Sequence, residues 1–301
     1  MKQVVSVSLG SRKGDLEVET EFLGQRFRIR REGTDGDFRR ALERITALDG
    51  QVDAIGLGGI DLYVYAGGRR YTIRDAARLA ARAQKTPVVD GSGIKHTLER
   101  QAVCWLDDQG VLPLRGCRTL LVSAVDRFGM AEALAERGAD VIYGDLIFGL
   151  GLPIPIRSIG ALRRLARAVL PIVTRLPFQW FYPTGKQQET FQRRSPRYYH
   201  WAELLAGDFH YVRRYLPPRV DGKVVLTNTV RAHHVEMLAQ RGIRLLVTTT
   251  PEFGGHSFAT NVMEGVLVAL LEKRPAEATE KEYLDLLARL GWSPRLTPLS
   301  V

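Results

Sequence analysis

The sequence predicts an α/β protein with two open α/β domains, of which the C-terminal one is a Rossmann-like parallel sheet. From Thr119 onward, short apolar segments alternate regularly with amphipathic ones, a rhythm typical of strands joined by crossover helices. The chain before that point contains hairpin patterns as well. With 301 residues, 45% of them hydrophobic, it is long enough for two cores. We therefore expect domains at residues 1–115 and 116–301, with an insertion at about 150–205 and a cleft between the domains.

The first domain mixes strand, hairpin and helix patterns. Residues 4–9, 52–57 and 87–89 form apolar runs that predict strands. Alternation around Leu23-Gly24 and the Gly67-Gly68 pair predict two hairpins. Asp37 and Asp75 stand where helix N-caps are expected, and a third helix is predicted to follow Gly93.

The second domain is predicted to have strands at residues 119–122, 141–143, 224–226 and 245–247, with a fifth strand entering Gly207-Asp208. Helices are expected at residues 129–137, 232–241 and 261–272. In the insertion, residues 159–176 form an amphipathic helix, which we expect to pack on the sheet with its arginines in solvent and not to lie on a membrane. Aromatic residues at 178–182 and 198–201 predict a lid or a subunit contact, so a homodimer is possible. Residues after Pro294 are expected at the surface.

Composition excludes several classes of protein. The net charge is +10, but the arginines are scattered along helices and form no basic stripe, so we expect no nucleic-acid partner and a small anionic substrate instead. Scarce Met and Cys are typical of a heat-adapted host. Cys104 and Cys117 have no CxxC spacing, so neither a disulfide framework nor a metal site is predicted. HExxH, P-loop and GxSxG motifs are absent.

The same survey predicts a cytoplasmic protein without a membrane partner. The N-terminal residues lack the long apolar region of a secretion signal. The longest strongly apolar stretch, residues 262–271, contains Glu264 and is too short to cross a bilayer.

The first crossover of the second domain resembles a dinucleotide-binding turn in its layout. Aligned to GxGxxG, the three glycine positions hold Ala124, Asp126 and Gly129. Asp145 follows about twenty residues later, where such folds place a carboxylate on the ribose. The candidate cofactor residues are therefore Ser123, Ala124, Asp126, Arg127, Phe128, Gly129 and Asp145. The alternative is structural: Asp126 caps the helix and Gly129 permits close helix packing.

Polar loops follow most of the predicted strands, and in open α/β sheets ligands lie beyond the carboxyl ends of the strands. Such loops offer N–H groups and hydroxyls for a carboxylate or polyol. An imidazole in one of them is suited to acid–base chemistry or ligand binding. The candidate substrate-binding residues are Ser8, Ser11, Gly59, Ser92, His210 and Asn228.

Lys95 is the candidate catalytic residue. It follows a strand end, and a carboxylate at Asp90 or Asp61 would orient it as the base that takes a hydroxyl proton while hydride leaves. The alternative is an exposed lysine at a helix N-terminus.

Nearly the whole chain resembles bacterial proteins named quinate 5-dehydrogenase. The matching stretches are residues 4–11, 33–37, 58–63, 90–93 with Lys95, 123–129, 207–211, 227–229 and 248–251. The name implies kinship with quinate and shikimate dehydrogenases, which have a glycine-rich cofactor loop and a catalytic Lys–Asp pair. The loop at 123–129 lacks two of those glycines.

The resemblance implies an NAD(P)-dependent oxidoreductase acting on a hydroxyl group of a small polyhydroxy carboxylate such as quinate. It also implies that Thr248, Thr249 and Pro251 lie on the nicotinamide side. Asp145 would repel a 2′-phosphate, so NAD is expected in preference to NADP. Two alternatives stay open: a non-redox enzyme using the same cleft, and a non-catalytic small-molecule-binding or sensor protein.

Overall fold

The computed structural model describes residues 1–177, 195–228, 230, 232–250, 252–253 and 256–299. They form a mixed α/β protein with two open, mostly parallel sheets of five and six strands. The predicted fold class is confirmed.

The first sheet has the strand order β2-β3-β1-β4-β7, and only β2 is antiparallel to its neighbour. Both predicted hairpins are confirmed, β2 with β3 and the separate pair β5 with β6. Asp37 caps α1 as expected, whereas Asp75 lies inside the first turn of α2, whose N-cap is Ile73. The elements are β1 (Lys2–Ser8), β2 (Leu16–Phe22), β3 (Gln25–Gly33), α1 (Phe38–Leu48), β4 (Ala54–Gly58), β5 (Tyr63–Ala66), β6 (Arg69–Thr72), α2 (Arg74–Ala80), β7 (Val88–Val89) and α3 (Ser92–Asp108).

The second sheet has the order β15-β12-β11-β10-β8-β9, with only β15 antiparallel. All five predicted strands are present, and β10 is the one that enters Gly207-Asp208. The C-terminal tail, predicted only as surface, adds the edge strand β15. The elements are β8 (Arg118–Leu121), α4 (Phe128–Glu136), β9 (Asp140–Tyr143), α5 (Ile159–Val173), α6 (Pro196–Trp201), β10 (Leu204–Ala206), α7 (Phe209–Tyr215), β11 (Val224–Thr227), α8 (Ala232–Gln240), β12 (Leu245–Thr248), the short pair β13 (Glu252–Phe253) and β14 (His256–Ser257), α9 (Thr260–Leu271), α10 (Glu280–Arg289) and β15 (Arg295–Pro298).

Helix α9 returns to the first sheet, although the sequence analysis placed its residues in the second domain. It packs against β1, β4 and β7, and its neighbour α10 packs against α3. Gly265 allows the close approach, because a Cβ there would lie 2.7 Å from a methyl carbon of Val4. The residues of α9 are buried on nearly every side, as expected for a helix that is apolar all round.

The insertion contains α5, which begins at the predicted residue and buries its apolar side, including Leu162 and Ala166. Tyr198 and Tyr199, part of the second aromatic stretch, are core residues of the second sheet. The first stretch, residues 178–182, lies outside the described residues. Among the described helices, none has the length and apolar character needed to cross a membrane.

Candidate functional site

Ion pairs join loops that follow the strands of the two sheets, and we call the place where these loops meet the cleft. In the second sheet, β8 lies between β9 and β10. The connection after β8 leads to β9 on one side, and the connection after β10 leads to β11 on the other, so the chain changes direction at the gap between β8 and β10. Ligands of doubly wound sheets lie at such switch points, beyond the carboxyl ends of the strands. In the first sheet the equivalent gap lies between β1 and β4.

Six charged side chains meet at this cleft. We call them the cleft cluster: Asp61 after β4, Lys95 and Glu99 on α3, Asp126 and Arg127 after β8, and Asp208 after β10. Helices α3 and α4 hold the two halves of the cluster together. Gly129 permits their contact, because a Cβ there would lie 2.5 Å from the carbonyl oxygen of His96. The close-packing interpretation of Gly129 is thus confirmed, and the partner is a helix from the first half of the chain.

Arg127 is the most deeply buried cation of the cleft cluster. Its side chain is 6% exposed and forms ion pairs with Glu99, with Asp208 at 2.7 Å and with Asp126 at 3.3 Å. Glu99 is 3% exposed, and its Oε2 has no hydrogen-bond partner among the described residues. Burial raises the pKa of Glu99, although Arg127 and Lys95 act to lower it. This part of the cluster ties α3 to the second sheet.

Lys95 forms the outer part of the cluster with two aspartates. Its Nζ lies 2.8 Å from Asp126 and 3.5 Å from Asp61, and these two carboxylates are 29% and 20% exposed. Burial and Arg127 act to lower the pKa of Lys95, but Asp126, Asp61 and Glu99 outweigh them and raise it. Burial likewise opposes the ionisation of Asp126, yet Lys95 and Arg127 hold the pKa of its carboxyl well below the usual range. A lysine in this setting stays protonated, which suits it to donate hydrogen bonds and not to act as the predicted base.

Asp208 and Asn228 complete the floor of the cleft. The Asn228 amide donates to Asp208 at 2.9 Å and accepts from the Phe209 N–H. Burial acts to raise the pKa of Asp208, but Arg127 and His210 lower it below its ordinary value. The exposed His210 donates its backbone N–H to Asp208, so Asp208 also caps α7.

The crossover loop after β8 does not fit a dinucleotide as its residues are arranged. Asp145 turns back toward this loop, and its carboxylate accepts the N–H groups of Ala124 and Val125 at 3.0 and 2.9 Å. Burial raises the pKa of Asp145 to about 6, although the two N–H groups lower it. Two N–H groups at the start of the loop are therefore taken by a carboxylate of the chain. Neither Asp145 on a ribose nor Ala124, which is 0% exposed, fits the predicted cofactor contact.

The other predicted cofactor residues are dispersed. Phe128 is 2% exposed and belongs to the core, and Ser123 is half-buried at the end of β8. Thr248 ends β12, and the buried Thr249 donates its N–H to Thr227 and accepts from the Trp292 indole. Pro251 lies outside the described residues.

The predicted substrate loops of the first domain are engaged in local contacts. Ser8 Oγ accepts from the Gly10 N–H and from Arg31, while the exposed Ser11 accepts from the Lys13 N–H. The backbone at Gly59 is left-handed (φ 73°), a conformation that favours glycine at this position.

Asp90, one of the two predicted partners of Lys95, is hydrogen-bonded to other residues. Its oxygens accept from the N–H groups of Leu62, Tyr63 and Ser92 and from the Ser92 hydroxyl. Of the two predicted partners of Lys95, Asp61 is therefore the one that the structure places beside it. The sequence analysis missed Glu99, for which the only signal was its spacing four residues after Lys95.

Two family models match consecutive parts of the chain. The one described as Domain of unknown function (DUF8753) matches residues 3–90, and the one described as Domain of unknown function (DUF8754) matches residues 93–299. No curated protein matches the sequence.

Similar solved structures are distant. Glutamate dehydrogenase from Thermus thermophilus is 15% identical with a TM-score of 0.42, over 96% of this chain and 73% of that one. A periplasmic ribose ABC transporter protein from Conexibacter woesei is 10% identical with a TM-score of 0.39, over 93% and 88%. An NAD-dependent malic enzyme from Thermotoga maritima is 10% identical with a TM-score of 0.37, over 96% and 84%.

Proposed function

The chain belongs to the family described as Domain of unknown function (DUF8754), and we propose its function from the site itself. We infer that the protein binds a small, neutral, polyhydroxylated molecule in the cleft between its two sheets. The observation that carries this proposal is the partly exposed group of Lys95, Asp61 and Asp126 at the switch points of both sheets.

The charge of the cleft cluster favours a neutral ligand. Its four carboxyl groups face two cations, so the cluster is negative whenever its acids are ionised. A pyrophosphate or a second carboxylate entering it is repelled, more strongly than in water because the site is partly buried. The basic composition predicted an anionic substrate, but the charges that surround this cleft favour hydroxyl groups instead.

The hydrogen-bonding groups of the cluster match a diol. Lys95 has three N–H donors, of which one is hydrogen-bonded to Asp126 while Asp61 lies 3.5 Å away, so a donor is available to a ligand oxygen. A carboxylate offers about four acceptor positions, so Asp126 can accept O–H donors besides Lys95. Adjacent hydroxyls donate to a carboxylate and accept from an ammonium at the same time.

A calorimetric titration tests this proposal. The panel contains neutral sugars and cyclitols, the corresponding sugar acids, and NAD and NADP. We expect a neutral polyol to bind, and Asp126→Asn to weaken its binding by about tenfold, since a hydrogen bond to a charged group contributes about 1.5–3 kcal/mol. Exposed Arg39, in α1, provides the control Arg39→Gln, which should leave the affinity unchanged. Binding of only the acids, or equal affinity in the Asp126→Asn variant, would refute the proposal.

Dehydrogenation of a hydroxy acid with NAD is the second candidate. One observation favours it: a lysine paired with an aspartate at the cleft, as the resemblance to quinate 5-dehydrogenases implies. The crossover loop closed by Asp145 and the raised pKa of Lys95 weigh against it. A shift in the melting temperature with millimolar NAD, absent with adenosine, would support this candidate. No shift, together with polyol binding, would leave the binding function alone.

A further inference from the structure

A second cavity lies on another face of α3. It is a half-open cavity with a volume of about 670 Å³, bounded by the β5–β6 hairpin, the first half of α3, the start of α4, residues 274–278 and α10. Sites for small molecules have volumes of about 300–1,000 Å³. Ser92, Gly93, His96 and Thr97 face this cavity, whereas Lys95 and Glu99 of the same helix face the cleft cluster.

The inner wall of the cavity offers several hydrogen-bonding groups. Glu264 is 3% exposed and accepts from the Gly91 N–H at 2.7 Å, with the Tyr283 hydroxyl 3.5 Å away. Burial and the nearby Asp90 raise the pKa of Glu264 to about 8, so its carboxyl is mostly protonated at pH 7. Burial also lowers the pKa of His96, which keeps its imidazole neutral. Asp90 is also part of this wall, and the four neutral donors described above stabilise its carboxylate without cancelling its charge.

Four aromatic residues belong to the remaining lining. Tyr63, Tyr65, Phe128 and Tyr283 all contribute, and the Tyr65 ring lies 6.2 Å from the His96 ring. Burial raises the pKa of Tyr65, so its hydroxyl remains a donor at neutral pH. Such walls favour a planar ring, which can stack or meet a tyrosine edge to face.

The mouth of the cavity is positively charged. Arg69, Arg70 and Arg274 are exposed there, and Arg70 stacks 4.5 Å above the Tyr63 ring. Glu280 is the exposed acid at the mouth. The charge of Glu132, deeper in the lining, is compensated by Arg163 at 2.7 Å and Arg100 at 3.8 Å. Among the described residues at the mouth, three cations therefore face one acid.

We propose that this cavity is a second binding site, which takes an aromatic molecule carrying an anionic group. The ring lies among the tyrosines, and the anion lies at Arg70 and Arg274. The ring side and the charged mouth thus recognise the two ends of one ligand. This inference does not depend on the function proposed for the cleft.

Probes of matched shape test the ligand class by titration calorimetry. Benzoate and phenyl phosphate carry a ring and an anion, benzyl alcohol lacks the anion, and acetate and inorganic phosphate lack the ring. We expect at least one of the two aryl anions to bind at least about tenfold more tightly than the three controls. Benzoate and phenyl phosphate together distinguish a carboxylate from a phosphate as the preferred group. Equal affinity for benzyl alcohol, or no binding of either aryl anion at millimolar concentration, overturns the proposal.

Variants locate the bound probe. Arg70→Gln combined with Arg274→Gln should weaken aryl-anion binding by about tenfold, and Arg39→Gln should not. Ala83→Trp fills the cavity from its wall and should abolish binding, with circular dichroism confirming an unchanged fold. Asp126 does not line the cavity, so Asp126→Asn should leave aryl-anion affinity unchanged. Undiminished binding in both cavity variants, or its loss in Asp126→Asn, refutes the assignment to this cavity.

Discussion

Arg127→Met tests whether the buried ion pairs of Arg127 hold the two halves of the protein together. Methionine has a similar length and no charge, so the variant removes the cation and leaves Glu99 and Asp208 in place. Removing one partner of a buried ion pair costs about 3–5 kcal/mol, because the remaining charge is left uncompensated. Glu99 meets this condition, since it is 3% exposed and one of its oxygens already has no hydrogen-bond partner in the described part of the chain. The loss is a large part of the total stability of about 5–15 kcal/mol that is usual for a protein.

The pH dependence of this loss follows from Glu99. Without Arg127, protonation of the Glu99 carboxyl removes an uncompensated buried charge, so the pKa of Glu99 in the folded variant rises further above the unfolded value. A raised acid pKa stabilises the fold at low pH, and this contribution disappears as the pH rises through the folded pKa, by about 1.4 kcal/mol per pH unit. We therefore expect a smaller loss at pH 5 than at pH 8.

Urea unfolding followed by circular dichroism at pH 5 and pH 8 measures both quantities. Arg39→Met is the matched control, because Arg39 pairs with Glu43 on the surface, where its side chain is 89% exposed. An exposed pair of this kind contributes less than about 0.5 kcal/mol. A loss below about 1 kcal/mol for Arg127→Met, or the same loss at both pH values, would show that the cluster does not carry this role.

Two further predictions concern packing and the closed loop. Gly129→Ala should destabilise the protein by about 1–3 kcal/mol, because its methyl group would meet His96. Gly160→Ala in α5 should stabilise it by about 0.5–1 kcal/mol, because the added methyl group meets no atom of the described residues within 4 Å. Melting curves of the two variants test both expectations. Asp145 has its pKa raised to about 6, so it destabilises the fold as the pH rises from about 4 to 6. Asp145→Asn should remove that slope in urea unfolding at a series of pH values, and an unchanged slope would assign it to other groups.

Local pattern was sufficient to predict much of the fold. The apolar runs at 119–122 and 141–143 became β8 and β9, and Gly67-Gly68 became the β5–β6 turn, because hairpins and buried strands leave periodic signals in neighbouring residues. Helix α5 was predicted from its amphipathic spacing for the same reason. Asp61 and Lys95 were recognised because each follows a strand end.

The remaining features depend on contacts that are distant in the sequence. An all-apolar helix such as α9 must be buried, but its pattern does not say against which sheet, and only the packing of Gly265 on Val4 decides it. The spacing of Asp145 matched a ribose ligand, yet the direction of its side chain closes the loop at Ala124 instead. Sequence alone therefore determined the two-sheet α/β class and the polar strand ends, since these arise from local periodicity. The partners of each charge, and with them the character of the cleft, were decided by tertiary structure, because electrostatic energy depends on distances that no linear spacing records.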